Sequence, residues 1–335
     1  VKVLVSSFYD RGAIAPPIER LRAQAEVVFC AEGRRLNEEE LTSHLEGVDV
    51  IIAADDPFTP RVFEKSPRLR LIAMDGVGVD SVDLTAATRH GVIVNNAPVN
   101  YESVADLAFG LMIAAIRKIV IGDRGMRQGR YGDRDTYLCR QDVNGSTLGL
   151  MGFGRTARAV ARRARGFNMS VLAYDPYVDA AAADALGVKM VSLDELLANS
   201  DIISFHVVLT DQTRGMINAA AFAKMKNGVY IVNTSRGAVI DEASLIAALQ
   251  NGKVAGAGLD VMCNEPPGPD DPLFQFENVV CTAHVGSDTF GTFRKTFESA
   301  VNDILLFMAG QRPSHVVNPD VFKHPRYAKG ESFYA

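Results

Sequence analysis

The stretch TLGLMGFGRTARAVARRA, residues 147–164, decides the fold. It opens as an apolar run, turns on Gly152 and Gly154, and continues with alanine and arginine at helical spacing. In a strand–turn–helix reading of G-x-G-x-x-A, Gly152 permits the tight turn and Gly154 lets the backbone approach a bound group. Ala157 stands in for a third glycine and still allows the helix to pack closely on the strand. The amides and positive end of that helix would face a diphosphate. Asp175 closes the next apolar run, VLAYDP, 21 positions beyond Gly154. There the dinucleotide fingerprint expects a carboxylate on the ribose hydroxyls. The same charge would repel a 2′-phosphate, which favours NAD over NADP. An Asp-Pro turn is the alternative use of Asp175.

Downstream, strand-like runs recur at 170–174, 201–207, 228–233, 255–261 and 278–283, giving six strands with that at 147–151. This is the inventory of a doubly wound dinucleotide-binding domain. Upstream, a long helix is expected from Glu102 to Arg127. Before it, runs at 1–5, 27–29, 50–54, 69–74 and 92–95 alternate with helical segments at 18–25 and 37–45, the second opened by Asn37 as N-cap. A last helix at about 290–309 returns most economically to this first series. The expected fold is α/β, with two doubly wound parallel-sheet domains. A Rossmann NAD-binding domain (100–288) is inserted into a discontinuous, flavodoxin-like substrate domain (1–99 and 289–335), with a cleft between them.

A net charge of −5 over 335 residues speaks against a nucleic-acid footprint, which needs a strongly basic face. Arg155, Arg158, Arg162, Arg163 and Arg165 cluster, either as a solvated helix face or as a local basic patch. The longest apolar run, LAFGLMIAAI at 107–116, falls short of the ~20 residues a membrane span needs. VKVLVSSFYD lacks the layout of a secretory signal, so a cytoplasmic protein is expected. Cys30, Cys139, Cys263 and Cys281 form no Cys-x-x-Cys pair and no Cys/His cluster with zinc spacing. Reduced, buried thiols and no metal are expected.

Three later strands end in polar residues: Arg236 in IVNTSRGAVID, Asp260 and Glu265 in GLDVMCNEPPGPDDP, and His284 in TAHVGSDT. Ligands of open α/β sheets bind beyond the carboxyl ends of strands, so these groups point to one crevice. Oxidising a hydroxy acid needs a base for the hydroxyl proton and a cation for the carboxylate. Histidine suits the first task, a neighbouring carboxylate favours its imidazolium, and the guanidinium fork of arginine matches a carboxylate.

In the order DGVGVDSVDL, NAPVNYESVADLAFGLM, LGLMGFGRTAR, HVVLTDQTRGMIN, NTSRGAVID, GLDVMCNEP and TAHVGS, the chain resembles the D-isomer-specific 2-hydroxyacid dehydrogenases over nearly its whole length. The resemblance implies that Arg236 binds the substrate carboxylate and carbonyl oxygen, with His284 as acid/base and Glu265 as its partner. It implies substrate contacts from Val77, Gly78 and Asn100. It puts Val104 near the nicotinamide and Asp260 near its carboxamide. Gly152, Gly154, Arg155, Thr156, Asp175, Thr234, Ser235, Arg236, His284, Gly286 and Ser287 would line the cofactor. His206 either joins that groove or caps a strand; His44, His90, His315 and His324 are read as surface or core. Two departures from the family pattern are Ala157 and Val99, the latter standing where glycine is frequent.

The loop AADDPFTP carries Asp55 and Asp56 where relatives with phosphorylated substrates carry a base. Two carboxylates disfavour a second anion. A glycerate/hydroxypyruvate-like substrate with an uncharged C3 group is therefore expected, with 3-phosphoglycerate as the alternative. Formate dehydrogenases put glutamine at the position of Glu265. The resemblance also admits a NAD-sensing corepressor-like scaffold, for which the short end RYAKGESFYA offers no recruiting tail. A homodimer, with the helix after Glu102 contributing to the subunit contact, is implied as well.

Overall fold

Period-two patterning builds both sheets. In the first series Val3, Val5, Val50, Ile52, Leu71, Ala73 and Ile93 enter one buried cluster, and the interleaved Leu4, Ile51, Ala53, Ile72, Met74 and Val94 enter another. Successive side chains leave a strand on opposite faces, so a strand apolar at every position needs cover on both. A computed structural model describes residues 1–6, 11–178 and 181–327. Its contacts divide the chain into one unit of Val1–Asn100 with Ser287–Ala335 and another of Tyr101–Gly286.

The first unit holds β1 (Lys2–Val5), β2 (Glu26–Phe29), β3 (Val50–Ala53), β4 (Leu71–Met74) and β5 (Ile93–Asn95). They pair in parallel in the order β2-β1-β3-β4-β5. That is the flavodoxin-like order. The helix Phe290–Met308 belongs to this unit, where Phe297, Val301, Ile304 and Phe307 share a core with Val3 and Ile18. The helix Glu38–His44 starts on Asn37 through a full capping box with Glu40. The first helix runs Arg11–Arg22, earlier than the 18–25 expected.

The second unit holds β6 (Thr147–Met151), β7 (Ser170–Tyr174), β8 (Val188–Met190), β9 (Ile202–Phe205), β10 (Val229–Asn233), β11 (Val254–Leu259) and β12 (Val279–Cys281). All pairs are parallel, in the order β12-β11-β10-β9-β6-β7-β8. Six strands were expected and seven are present among the described residues. The addition is β8, a three-residue edge strand whose exposed Lys189 hides its periodicity. The strand order reverses between β6 and β9, the switch point where such sheets bind ligands.

The long helix expected from Glu102 to Arg127 is two helices, Tyr101–Ile116 and Ile119–Arg127. Lys118 between them is left-handed (φ 49, ψ 39), and its ammonium donates to the Thr136 carbonyl at 2.9 Å. One left-handed residue interrupts the i→i−4 ladder. Among the described residues, no helix is long and apolar enough to cross a membrane.

Candidate active site

The turn after β6 is shaped for close approach. Gly152 has φ +84, and a Cβ there would stand 2.7 Å from the carbonyl oxygen of His206, so glycine is required twice over. Gly154 caps the helix Arg155–Arg165 without a side-chain hydrogen bond, and a Cβ built on it meets nothing within 4 Å. Ala157 is fully buried. Asp175 lies at the end of β7. One of its oxygens accepts the Phe153 amide at 2.8 Å and the other accepts the Tyr177 amide at 2.9 Å. Both sequence readings of Asp175 thus have a geometric counterpart: it adjoins the glycine turn, and it makes the turn through Pro176. Arg155 is exposed and Thr156 half-buried at the start of the helix.

His206, just past β9, places Nε2 at 2.9 Å from Ser204 Oγ, and burial pushes its imidazole down to about 4. It is neutral at physiological pH. Thr234, one residue past β10, has its hydroxyl buried without a hydrogen-bond partner. An orphan hydroxyl, an uncapped helix start and clear space at Gly154 fit a dinucleotide on this edge of the sheet.

Beyond β10, Asn233 braces the next loop. Its carbonyl oxygen accepts the Asp260 amide at 2.9 Å, its side-chain oxygen accepts the Ser235 amide and hydroxyl at 3.0 and 2.8 Å, and its amide nitrogen donates to the Arg236 carbonyl at 2.9 Å. Arg236 is half-buried, with Nη1 donating to the Ser235 carbonyl at 2.8 Å. Gly237 follows, pressed against the loop after β11. A Cβ on it would lie 2.1 Å from the Met262 carbonyl carbon and oxygen. That close approach sets the Arg236 loop beside the Glu265 loop.

Glu265 is held at both oxygens. Oε1 accepts the Met262 amide at 2.9 Å, and Oε2 lies 2.8 Å from His284 Nδ1. Burial alone would raise its carboxyl, but the His284 and Met262 hydrogen bonds and the positive charges of His284 and Arg236 outweigh it and hold it below the usual range. The Glu265 hydrogen bond raises the His284 imidazole, against burial and the Arg236 charge, which lower it. Their side chains remain 37% and 43% exposed, so the pair is reachable by a small molecule. His284 itself is left-handed, φ +55.

Asp260 is 2% exposed and organises this segment. Oδ1 accepts the Thr282 hydroxyl at 2.6 Å and the Val285 amide at 2.9 Å; Oδ2 accepts the Gly286 amide at 2.9 Å. The Asp260 carbonyl also takes the His284 amide at 2.9 Å. A Cβ on Gly286 would sit 3.0 Å from Asp260 Oδ2 and 3.5 Å from a Val104 methyl, which brings Val104 to the same spot. The sequence reading missed Asn233, Gly237 and Thr282. Each lies within two residues of a residue it singled out, in NTSRGA and TAH. Ser287 follows Gly286 and belongs to the first unit.

The remaining candidates lie in the first unit. Val77, 42% exposed, and Gly78 occupy the loop after β4, where the Val77 carbonyl accepts from Asn96 at 2.8 Å; half-buried Asn100 ends the segment. The substrate argument from two aspartates is corrected here. Asp56 is 1% exposed and turned inward, accepting from the Ser6 hydroxyl at 2.5 Å and the Leu36 amide at 2.9 Å. Only Asp55 is exposed. The arginine cluster is largely structural: Arg162 and Arg163 pair with Glu102 and Asp106, and Arg158 donates to the Phe153 carbonyl at 3.1 Å. The four cysteines form no disulfide. They were expected to be buried, but Cys263 is exposed and the other three are only half-buried, Cys30 and Cys281 lying at the edge of the packed cores rather than within them; partial desolvation still pushes the Cys30, Cys263 and Cys281 thiols up to about 11.

Residues 109–286 match the sequence model of the "D-isomer specific 2-hydroxyacid dehydrogenase, NAD binding domain". The chain is 42% identical over 271 residues to a glyoxylate reductase of Korarchaeum cryptofilum, covering 80% of this chain and 82% of that protein. It is 43% identical over 241 residues to a D-3-phosphoglycerate dehydrogenase of Archaeoglobus fulgidus, covering 72% of this chain but 45% of that protein. The structure of a glyoxylate reductase from Paecilomyes thermophila superposes with a TM-score of 0.84 at 30% identity, covering 95% of this chain and 98% of the other.

Proposed function

The chain belongs to the D-isomer-specific 2-hydroxyacid dehydrogenase family, with that family's NAD-binding domain over residues 109–286, and on this premise we propose that it reduces a small 2-keto acid to the D-2-hydroxy acid, or the reverse. The observation that carries the assignment is the His284 Nδ1–Glu265 Oε2 contact of 2.8 Å, with Glu265 fixed from behind by the Met262 amide. Bound NAD(H) supplies the hydride acceptor or donor. Gly152, Gly154, Arg155, Thr156, Asp175, His206, Thr234 and Ser235 would hold it, together with Val104, Asp260, Gly286 and Ser287.

The chain's own residues handle charge and protons. Arg236 grips the carboxylate and polarises the C2 oxygen. His284, whose imidazolium the Glu265 hydrogen bond favours, delivers a proton from Nε2 to that oxygen during reduction and takes it back during oxidation. Val77, Gly78 and Asn100, in the first unit, are the further substrate-binding candidates. With Asp56 turned inward, the case for an uncharged C3 group rests on exposed Asp55 and on relatives named glyoxylate reductase. Glyoxylate and hydroxypyruvate are the proposed substrates.

The functional form is a homodimer. The apolar residues of helix Tyr101–Ile116 that resemblance would put at the subunit contact, Phe109, Leu111 and Met112 among them, are buried within their own unit. The following segment exposes Ile119, Met126, Tyr131 and Leu138, the last at 73%, and a second copy covers these.

The deciding assay follows NADH and NADPH absorbance with glyoxylate, hydroxypyruvate and phosphohydroxypyruvate. Turnover of the first two with NADH is expected. Preference for the phosphorylated compound would overturn the substrate class, and full turnover by His284→Ala would overturn the mechanism.

A further inference from the structure

We propose that Cys30, Glu32 and His44 bind a zinc-class divalent cation on the first unit, a site the dehydrogenase chemistry does not use. One donor atom from each, a thiol sulfur, a carboxylate oxygen and an imidazole nitrogen, lies within 4.8 Å of the other two. A tetrahedral zinc ion with bonds of about 2.0–2.3 Å separates its ligand atoms by about 3.3–3.8 Å, so small side-chain rotations bring the three to an ion. Glu32 Oε1 and His44 Nε2 are already 2.9 Å apart.

The frame around the three is fastened. Cys30 directly follows β2, the edge strand, and its amide donates to the Val5 carbonyl at 2.9 Å. His44 is the last residue of the capped helix Glu38–His44. Between them, Arg34 grips both oxygens of Glu40 at 2.9 and 2.6 Å, and Leu36 is buried with its amide on Asp56 at 2.9 Å. Glu32 is thus held opposite His44 from both sides. With 27% and 33% of the Glu32 and His44 side chains exposed, an ion has access, and water completes its shell.

A half-exposed imidazole–carboxylate contact is complete without a thiol, and the thiol adds the third, soft donor. The mixed sulfur, nitrogen and oxygen set selects zinc or cobalt over magnesium or calcium, which take oxygen alone. On binding, the Cys30 proton leaves to solvent and the thiolate takes the metal. The Nε2 proton that His44 shares with Glu32 is given up through solvent, the ring keeping its proton on Nδ1, so that the freed Nε2 lone pair takes the ion and a Glu32 oxygen occupies a third position. The ion then ties the end of the edge strand to the neighbouring helix. The spacing Cys-x-Glu-x11-His matches no zinc motif, so the sequence reading passed over it.

The test adds cobalt(II) chloride to the whole, chelator-treated protein. Expected are one ion per chain, thiolate-to-cobalt absorption in the near ultraviolet, visible bands of tetrahedral intensity, and loss of both when zinc is added. Cys30→Ser should remove the thiolate band, Glu32→Gln and His44→Ala should each weaken cobalt binding by more than about tenfold, and Cys139→Ser should change nothing. Zinc should raise the melting temperature of the native protein but not of these three ligand variants. No thiolate band in the native protein, or a band that survives Cys30→Ser, overturns the proposal. Should Cys30→Ser not fold, undiminished binding by both Glu32→Gln and His44→Ala overturns it equally.

Discussion

Gly237→Ala tests whether the loops around Arg236 and Glu265 position each other. Gly237 does not have positive φ, so alanine meets no torsional penalty and any effect is steric. The new Cβ would stand 2.1 Å from the Met262 carbonyl carbon and oxygen and 2.5 Å from the Cys263 nitrogen, all backbone. To reach the 3.4 Å at which ordinary contact begins, the Met262 segment must withdraw by about 1.3 Å, the difference from 2.1 Å. The Met262 amide holds Glu265 Oε1, so the carboxylate moves with it and loosens its grip on His284 Nδ1. A displacement of about 1 Å in a catalytic constellation costs about a hundredfold in rate, and overpacking of this kind costs about 1–3 kcal/mol of stability. Three measurements check this: kcat for glyoxylate reduction, NADH binding by fluorescence, and denaturant unfolding. We expect kcat to fall about a hundredfold with NADH binding largely kept, because the glycine turn after β6 is untouched. Native kcat together with native unfolding would refute the contact. Lost stability with native kcat would refute its link to Glu265.

Three further outcomes follow. Glu265→Gln keeps an acceptor for the Met262 amide but removes the charge that raises His284; reduction needs the imidazolium, so activity should fall off at lower pH than in the native enzyme, and superimposable pH–kcat profiles would refute the pairing. Asp175→Ala removes a charged acceptor and a repulsive carboxylate, so the NADPH/NADH ratio of kcat/KM should rise about tenfold, and an unchanged ratio would remove Asp175 from cofactor selection. Leu138→Lys puts a charge in the apolar segment proposed to meet a second copy, and sedimentation should show monomers; unchanged dimers would place the contact elsewhere.

What the sequence made legible is what backbone chemistry restricts. Gly152 could be read because its positive φ and its closeness to His206 leave no other residue, and strands such as VIIA could be read because every position is apolar. β8 escaped because three residues at an edge carry no period. The break at Lys118 escaped because neither glycine nor proline marks it. Asp56 was misread because one position in strand phase separates an aspartate facing solvent from one accepting from Ser6 and Leu36. The grouping of Arg236, Glu265 and His284 came from their places at strand ends and from motif order, because no periodicity reports which loops touch. Asn233 and Thr282 are visible only once those loops are in place.

The left-handed torsion of His284 carries a price in the folded state. A side chain in that basin costs about 1–2 kcal/mol relative to glycine, and the hydrogen bonds of its own amide and of the Val285 amide to Asp260 keep it there. A glycine in its place would relieve that torsion but would lose the Glu265 contact and give the unfolded chain more backbone freedom. Torsion and ion pair thus act on stability with opposite signs at this residue, and comparing the unfolding of His284→Gly with that of His284→Ala separates the two.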